Sequence, residues 1–328
     1  MSKTRHLVTA ALTLAASLPG TLAAQTTVAP GAVAAPRGSP ADVLALGLLR
    51  LEYALRDHPV TTEATPGVHR AFDLASLAFF GGRFAQALAT MDSLTRSVAG
   101  SDARVVCYGA EAGQAMMAAP AAVRRMAVGT DTIPYRLFIP TRTRGNRPLV
   151  VAFHGAGGNE NMFALAYGAG MLLQLAQDRG MIVAMPFTNA FVRDGATRFD
   201  ALVAAAAASA PVDTTQIFVM GHSLGGIVAG QLATTRGSRV RAVACIASPC
   251  SGPADASVAA DARRAPSLVV AAKNDLLIPL SRVNAAVTTA QAAGRAIETR
   301  TIAGQGHTLV VPTALPIVME WFAQVPER

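Results

Sequence analysis

The chain has 328 residues, 52% hydrophobic and 15% charged, with a formal net charge of +8. That length and apolar content allow a sizeable core and exclude disorder as a description of the whole chain. The positive balance does not point to a nucleic-acid surface. The arginines are scattered, and their densest stretch, Arg142, Arg144 and Arg147, falls in an expected turn with no interleaved aromatic residues. No nucleic-acid partner is expected.

Residues 1–24 carry the pattern of a cleaved secretory signal: Lys3 and Arg5, an apolar run from Leu7 to Ala16, then small residues with a cleavage position after Ala23 or Ala24. Pro19-Gly20 breaks the run, which is short for a spanning helix, so no stable membrane anchor is expected. The expected location is periplasmic or secreted, where disulfides persist. Three cysteines, Cys107, Cys245 and Cys250, cannot all pair within one chain. Cys245 lies in the apolar run Arg241 to Ala247 and reads as a small buried hydrophobe; Cys107 with Cys250 is a bridge the count allows. None has the spacing of a metal or redox motif.

Residues 25–38, rich in Ala, Thr, Pro and Gly, read as a linker to a helical N-terminal region over 39–120. Ser39-Pro40-Ala41-Asp42 is a helix start, with Pro in the first turn and an acid behind it, and Leu44, Leu48, Leu51 and Leu55 keep helical spacing. Thr65-Pro66 opens a second helix to about Phe80, which Gly81-Gly82 breaks. A third carries Phe84, Ala87, Leu88, Met91, Leu94 and Val98 on one face and ends at Gly100. The pair from about 66 to 98 resembles one tetratricopeptide unit. A single unit cannot bury its own apolar face, so it is expected to pack on the following domain, with partner binding as the alternative. His58 and His69, in this region, read as surface or packing residues.

From residue 121 the pattern changes. Strands are expected at Val123–Val128, Tyr135–Ile139, Pro148–Phe153, Met181–Met185, Ile217–Met220, Val240–Ile246, Leu268–Ala272 and Ile297–Ile302. Helices are expected at Asn161–Arg179, Phe199–Ala210, Gly226–Ala233, Val283–Ala293 and Leu309–Ala323. Two leading strands followed by strand–helix alternation predict an α/β domain over 121–328: a mostly parallel eight-stranded sheet with helices on both faces. Ligands of such sheets sit beyond the carboxyl ends of the strands.

The chemistry-bearing residues fall at those ends. Gly221-His222-Ser223-Leu224-Gly225 joins a strand to a helix, and small residues on both sides of Ser223 permit the sharp elbow that projects its hydroxyl. A serine needs a base, and the base needs an orienting acid. Asp275 follows the strand Leu268–Ala272, and His307 in Gly304-Gln305-Gly306-His307 is the last histidine of the chain. Asp255 and Asp261 lie in a Pro/Ala/Ser-rich loop and read as surface charges. The ring of His222 is expected to pack behind the elbow. His154-Gly155-Ala156-Gly157-Gly158 follows another strand, and its backbone N–H groups, with Ala156 first and Gly157 second, pair with the N–H of Leu224 as candidate oxyanion donors. The loop lacks the endings of phosphate and dinucleotide motifs. No cofactor or metal is implied.

Residues from about 121 to 325 resemble the α/β-hydrolase serine enzymes. Val151-Ala152-Phe153-His154-Gly155-Ala156-Gly157-Gly158 and Gly221-His222-Ser223-Leu224-Gly225-Gly226 match two of that superfamily's motifs. The nearest groups are the dienelactone-hydrolase-like, polyhydroxyalkanoate-depolymerase-like and prolyl-oligopeptidase-like esterases and peptidases. The resemblance implies a Ser223–His307–Asp275 triad cleaving carboxylic esters, from small molecules to polymers, through an acyl-enzyme. The same triad serves peptidases and acyltransferases, and a non-catalytic binding protein on this scaffold is a further alternative. There is no room for a propeller domain, nor for a large lid between Ser223 and Asp275, so an open cleft is expected unless the N-terminal helices cover it.

Overall fold

The computed structural model describes residues 39–102, 121–141, 144–250 and 265–326. The signal pattern, the linker, Cys107, Arg142, Asp255 and Asp261 lie outside them. Three helices open the described chain: α1 (Pro40–Asp57), α2 (Thr65–Phe80) and α3 (Phe84–Ala99). The start of α1 is a capping box, in which Ser39 accepts from the N–H of Asp42 and the Asp42 carboxylate accepts from that of Ser39.

Eight strands follow: β1 (Ala122–Val128), β2 (Asp131–Phe138), β3 (Arg147–Phe153), β4 (Ile182–Pro186), β5 (Val212–His222), β6 (Val240–Ile246), β7 (Ser267–Ala272) and β8 (Ile297–Ile302). They form one sheet in the order β1-β2-β4-β3-β5-β6-β7-β8. β1 and β2 pair antiparallel, as do β2 and β4; every later pair is parallel. This is the α/β-hydrolase arrangement, a mixed, mostly parallel sheet. β6 and β7 are buried along their whole length, whereas the terminal strands β1 and β8 each leave several residues exposed. Continuous apolar strands in the centre follow from having helices on both faces.

The two-residue period of the strands divides the core. Leu149, Val151 and Phe153 of β3 meet α5 (Gly195–Ala207), α6 (Leu224–Thr235) and α7 (Leu280–Ala292). Val150 and Ala152 face the other way, toward α4 (Met171–Arg179) and α8 (Val311–Gln324). That second apolar cluster continues without a break into Leu44, Leu48 and Leu49 of α1 and Phe72 and Phe79 of α2. The N-terminal helices therefore bury their apolar faces on the α/β portion, as one unpartnered helical pair requires.

Three expectations need correction. The helix expected over Asn161–Arg179 is broken: a π turn (Met162–Ala166) and a 3-10 turn (Tyr167–Gly170) precede α4, because Gly168, Ala169 and Gly170 all have positive φ. Arg147 belongs to β3 and not to a turn. Cys245 is buried but is no free thiol; it is bonded to Cys250, five residues on, so the Cys107–Cys250 pairing does not form. Apolar surroundings alone had argued for a thiol, and the turn after β6 that returns Cys250 to the strand end has no marker in the sequence. No helix among the described residues is long and apolar enough to cross a membrane.

Candidate active site

Ser223 lies between β5 and α6 with φ 53° and ψ −116°, a conformation L-residues rarely hold. The flanking glycines make that elbow fit. A Cβ on Gly221 would stand 2.1 Å from the carbonyl oxygen of Gly225, and one on Gly225 would stand 1.9 Å from that of Phe153. Those gaps admit no side chain, so the first turn of α6 rests directly on the end of β3.

At the carboxyl ends of the strands the three predicted side chains meet. Ser223 Oγ is 2.8 Å from His307 Nε2, and His307 Nδ1 is 2.7 Å from Asp275 Oδ2. Asp275 only accepts at that oxygen, so Nδ1 carries the proton and Nε2 is left to accept from the serine hydroxyl. The other Asp275 oxygen accepts the backbone N–H groups of Leu277 and Ile278 at 2.8 and 2.7 Å, which locks the carboxylate. His307 and Asp275 are 2% and 6% exposed, so the pair works away from bulk water. Ala156 lines the same cleft as Ser223, and Leu224 opens α6, where its N–H lacks a partner inside the helix. Gly157, the second donor choice, has φ 75° and packs under Phe79 and Phe80.

A second set of contacts surrounds these residues. His222 is buried behind the elbow, as expected, and also belongs to a hydrogen-bond chain. Its Nε2 donates to the carbonyl of His307 at 3.1 Å. Its Nδ1 accepts from the hydroxyl of Tyr167 at 2.8 Å, and that hydroxyl accepts the N–H of Gly155 at 3.4 Å. Burial, helped by the neighbouring His307 and His154, holds His222 well below the usual histidine range, so it is neutral. His154 is likewise neutral, lowered to about 4 by burial; it donates to the carbonyl of Gly155 and accepts from Thr188 N–H.

Helix α2 completes the support. The Asp73 carboxylate accepts from the N–H groups of His307 and Leu276, and Nδ1 of His69 accepts from that of Gly306. His69 is therefore buried and engaged rather than a surface residue. Burial lowers it to about 4, and burial also raises Asp73 above the ordinary carboxylate range. His58, by contrast, is half-buried and pairs with Asp102.

Residues 136–317, more than half of the chain, match the model of the dienelactone hydrolase family. The chain belongs to that family. No curated protein matches it in sequence. In fold it is similar to FphF, a fluorophosphonate-binding serine hydrolase of Staphylococcus aureus, with a TM-score of 0.53 at 13% identity over 62% of this chain and 99% of that one. It is similar to an S-formylglutathione hydrolase of Agrobacterium tumefaciens, with a TM-score of 0.52 at 15% identity over 63% and 96% of the two chains. It is also similar to the acylaminoacyl peptidase of Pyrococcus horikoshii, with a TM-score of 0.50 at 13% identity over 63% of this chain and 42% of that one.

The dienelactone hydrolase match begins in β2, so α1, α2 and α3 lie outside it. That is where sequence reasoning missed residues. Asp73 and His69 stand four apart on one helix face that also buries Phe72, Ser76 and Phe79. Two polar residues interrupting an apolar stripe were the available signal. Tyr167 had none, because its role depends on the break that precedes α4.

Proposed function

We propose that this member of a hydrolase family is an exported serine hydrolase of carboxylic esters. The observation that carries the reading is the 2.8 Å approach of Ser223 Oγ to an imidazole nitrogen that is free to accept a proton, because the other nitrogen is committed to Asp275. Ser223 Oγ attacks the acyl carbon while His307 Nε2 takes its proton. The oxygen of the tetrahedral intermediate accepts from the N–H groups of Ala156 and Leu224. The intermediate collapses, the ester C–O bond breaks, and His307 gives the proton to the leaving alcohol. Water deprotonated by the same nitrogen then cleaves the acyl-enzyme, returning the acid and free serine. Asp275 holds the imidazole in the required tautomer and balances its charge. Every side chain in this sequence of steps belongs to the chain itself.

Export is supported by the signal pattern in residues 1–24 and by the Cys245–Cys250 bond, which suits an oxidising compartment. The test is labelling with a fluorophosphonate, followed by turnover of p-nitrophenyl esters and aminoacyl-nitroanilides. Labelling in the wild type and none in Ser223→Ala, with esters turned over, supports the reading. Labelling that survives Ser223→Ala overturns the nucleophile, and nitroanilide turnover above that of esters reassigns the enzyme as a peptidase.

A further inference from the structure

We infer that α1 and α2 form the specificity wall of the Ser223 cleft and that the ester it takes presents a compact, uncharged apolar group to them. The inference rests on the serine-hydrolase reading and goes beyond it by naming the substrate class and the residues that select it.

The cleft beside Ser223 and His307 has a free volume of about 20 Å³, room for little more than one water or methyl group and far below the roughly 300–1,000 Å³ of drug-sized sites. Leu44 and Leu48 come from α1, and Phe72 and Phe80 from α2; Met162 and Tyr167 face them from the turns that precede α4. The hydroxyl of Ser76, also in the lining, donates to the carbonyl of Phe72 at 3.0 Å and is already engaged. Among the described residues, no Arg, Lys, Asp or Glu lines the cleft. The histidine behind it, His222, is neutral. A carboxylate or ammonium on the substrate would be desolvated here without a counter-charge, which strongly disfavours binding.

The wall is fixed to the catalytic loops at several points. Asp73 holds the loops of His307 and Leu276, His69 holds Gly306, and Asn159 donates to Asp42 of α1 at 2.5 Å. Gly157 of the candidate oxyanion loop packs so closely that a Cβ there would stand 2.7 Å from Phe79 and 3.1 Å from Phe80. Loop and wall move together or not at all. A wall so anchored excludes bulky groups, and the open cleft expected from the absence of a lid is closed on this side.

The experiment measures kcat/KM for p-nitrophenyl esters of increasing straight acyl length, and for a hemisuccinate ester charged at neutral pH. It uses the full chain, Phe80→Ala and Leu44→Phe, with each variant's near-ultraviolet circular dichroism compared with wild type. In the wild type kcat/KM is expected to peak among the shortest acyl chains and to fall once the cleft is filled, with the hemisuccinate at least about 100-fold below its uncharged counterpart. Phe80→Ala is expected to move the optimum to longer chains and Leu44→Phe to shorter ones. The two changes lie on different helices, so a folding defect in one leaves the other as the test. An unmoved optimum in a folded variant, or hemisuccinate turnover equal to the neutral ester, overturns the inference. Fluorophosphonate labelling of wild type against Ser223→Ala tests the underlying reading separately, since a shifted or unshifted optimum presupposes turnover at that serine.

Discussion

The carboxylate of Asp73 holds the backbone N–H of His307 through both of its oxygens, at 3.0 and 3.1 Å, across 234 residues of sequence. The position of the histidine beside Ser223 is thus set by a helix outside the family-matched segment. The same carboxylate takes the N–H of Leu276, next to Asp275. One side chain ties both loops that carry His307 and Asp275.

Asp73→Asn leaves a single acceptor oxygen for these N–H groups and turns an amide toward them. A misplacement of about 1 Å in such a site costs on the order of 10²-fold, and kcat is expected to fall about 10- to 100-fold with KM little changed. Steady-state hydrolysis of a p-nitrophenyl ester checks this. An unchanged kcat would mean that the two loops hold their geometry without α2.

Tyr167→Phe removes the hydroxyl that links the N–H of Gly155 to Nδ1 of His222. Both groups are buried and would lose their partner, at about 1–3 kcal/mol for each unsatisfied group. Thermal unfolding is expected to shift down by several degrees, with turnover reduced because Gly155 adjoins the candidate oxyanion donor Ala156. A variant as stable and active as wild type would show that water replaces the hydroxyl.

Acid should unfold the protein early. His69 and His154 each lie near 4 in the folded chain, from an ordinary 6.5, because burial disfavours their charged forms. Between those values the unfolded chain binds a proton at each position and the folded chain does not. Stability is therefore complete above about pH 6.5 and lost as pH falls toward 4, at roughly 3 kcal/mol per histidine. Melting temperatures across pH 7.5 to 4.5 test this. His69→Asn, which keeps an acceptor for Gly306 but does not titrate, should flatten part of the slope; a wild-type melting temperature constant over that range would refute the account.

Glu52 works in the opposite sense. It is buried on α1, its Oε1 has no partner among the described residues, and burial pushes it up to about 8 from 4.5, offset in part by the N–H of Gly168. The folded chain keeps the proton over a range where the unfolded chain releases it. The associated stability is full below pH 4.5 and drains as pH rises through 8. Glu52→Gln, neutral at every pH, should stabilise the protein at pH 8.5 by on the order of 4 kcal/mol and change little at pH 4.5, as paired thermal melts would reveal.

Much of this was legible beforehand. The strand–helix alternation carried the sheet, and β6 and β8 have the bounds that the sequence predicts. Ser223, Asp275 and His307 were readable because each sits where a strand ends, a position that alternation locates. What could not be read depends on contacts between segments far apart in the chain. Asp73 is one acid in an ordinary amphipathic helix until the loop of Gly306 lies against it. The Cys245–Cys250 pairing depends on backbone turns at Ala247 and Cys250, both at positive φ without a glycine to mark them. The break at Gly168–Gly170 was masked by flanking residues that keep an apolar helical pattern.

The bond from Asp73 to His307 also bears on when the molecule becomes active. The helices that flank the cleft are the first described part to leave the ribosome, and the histidine loop is nearly the last. With His307 as the proposed base, a nascent or truncated chain that holds the Ser223 elbow still lacks the seated partner of that serine. On that reading, hydrolytic competence waits for the loop of His307 to meet α2, so incomplete chains that stop before that loop carry no working site.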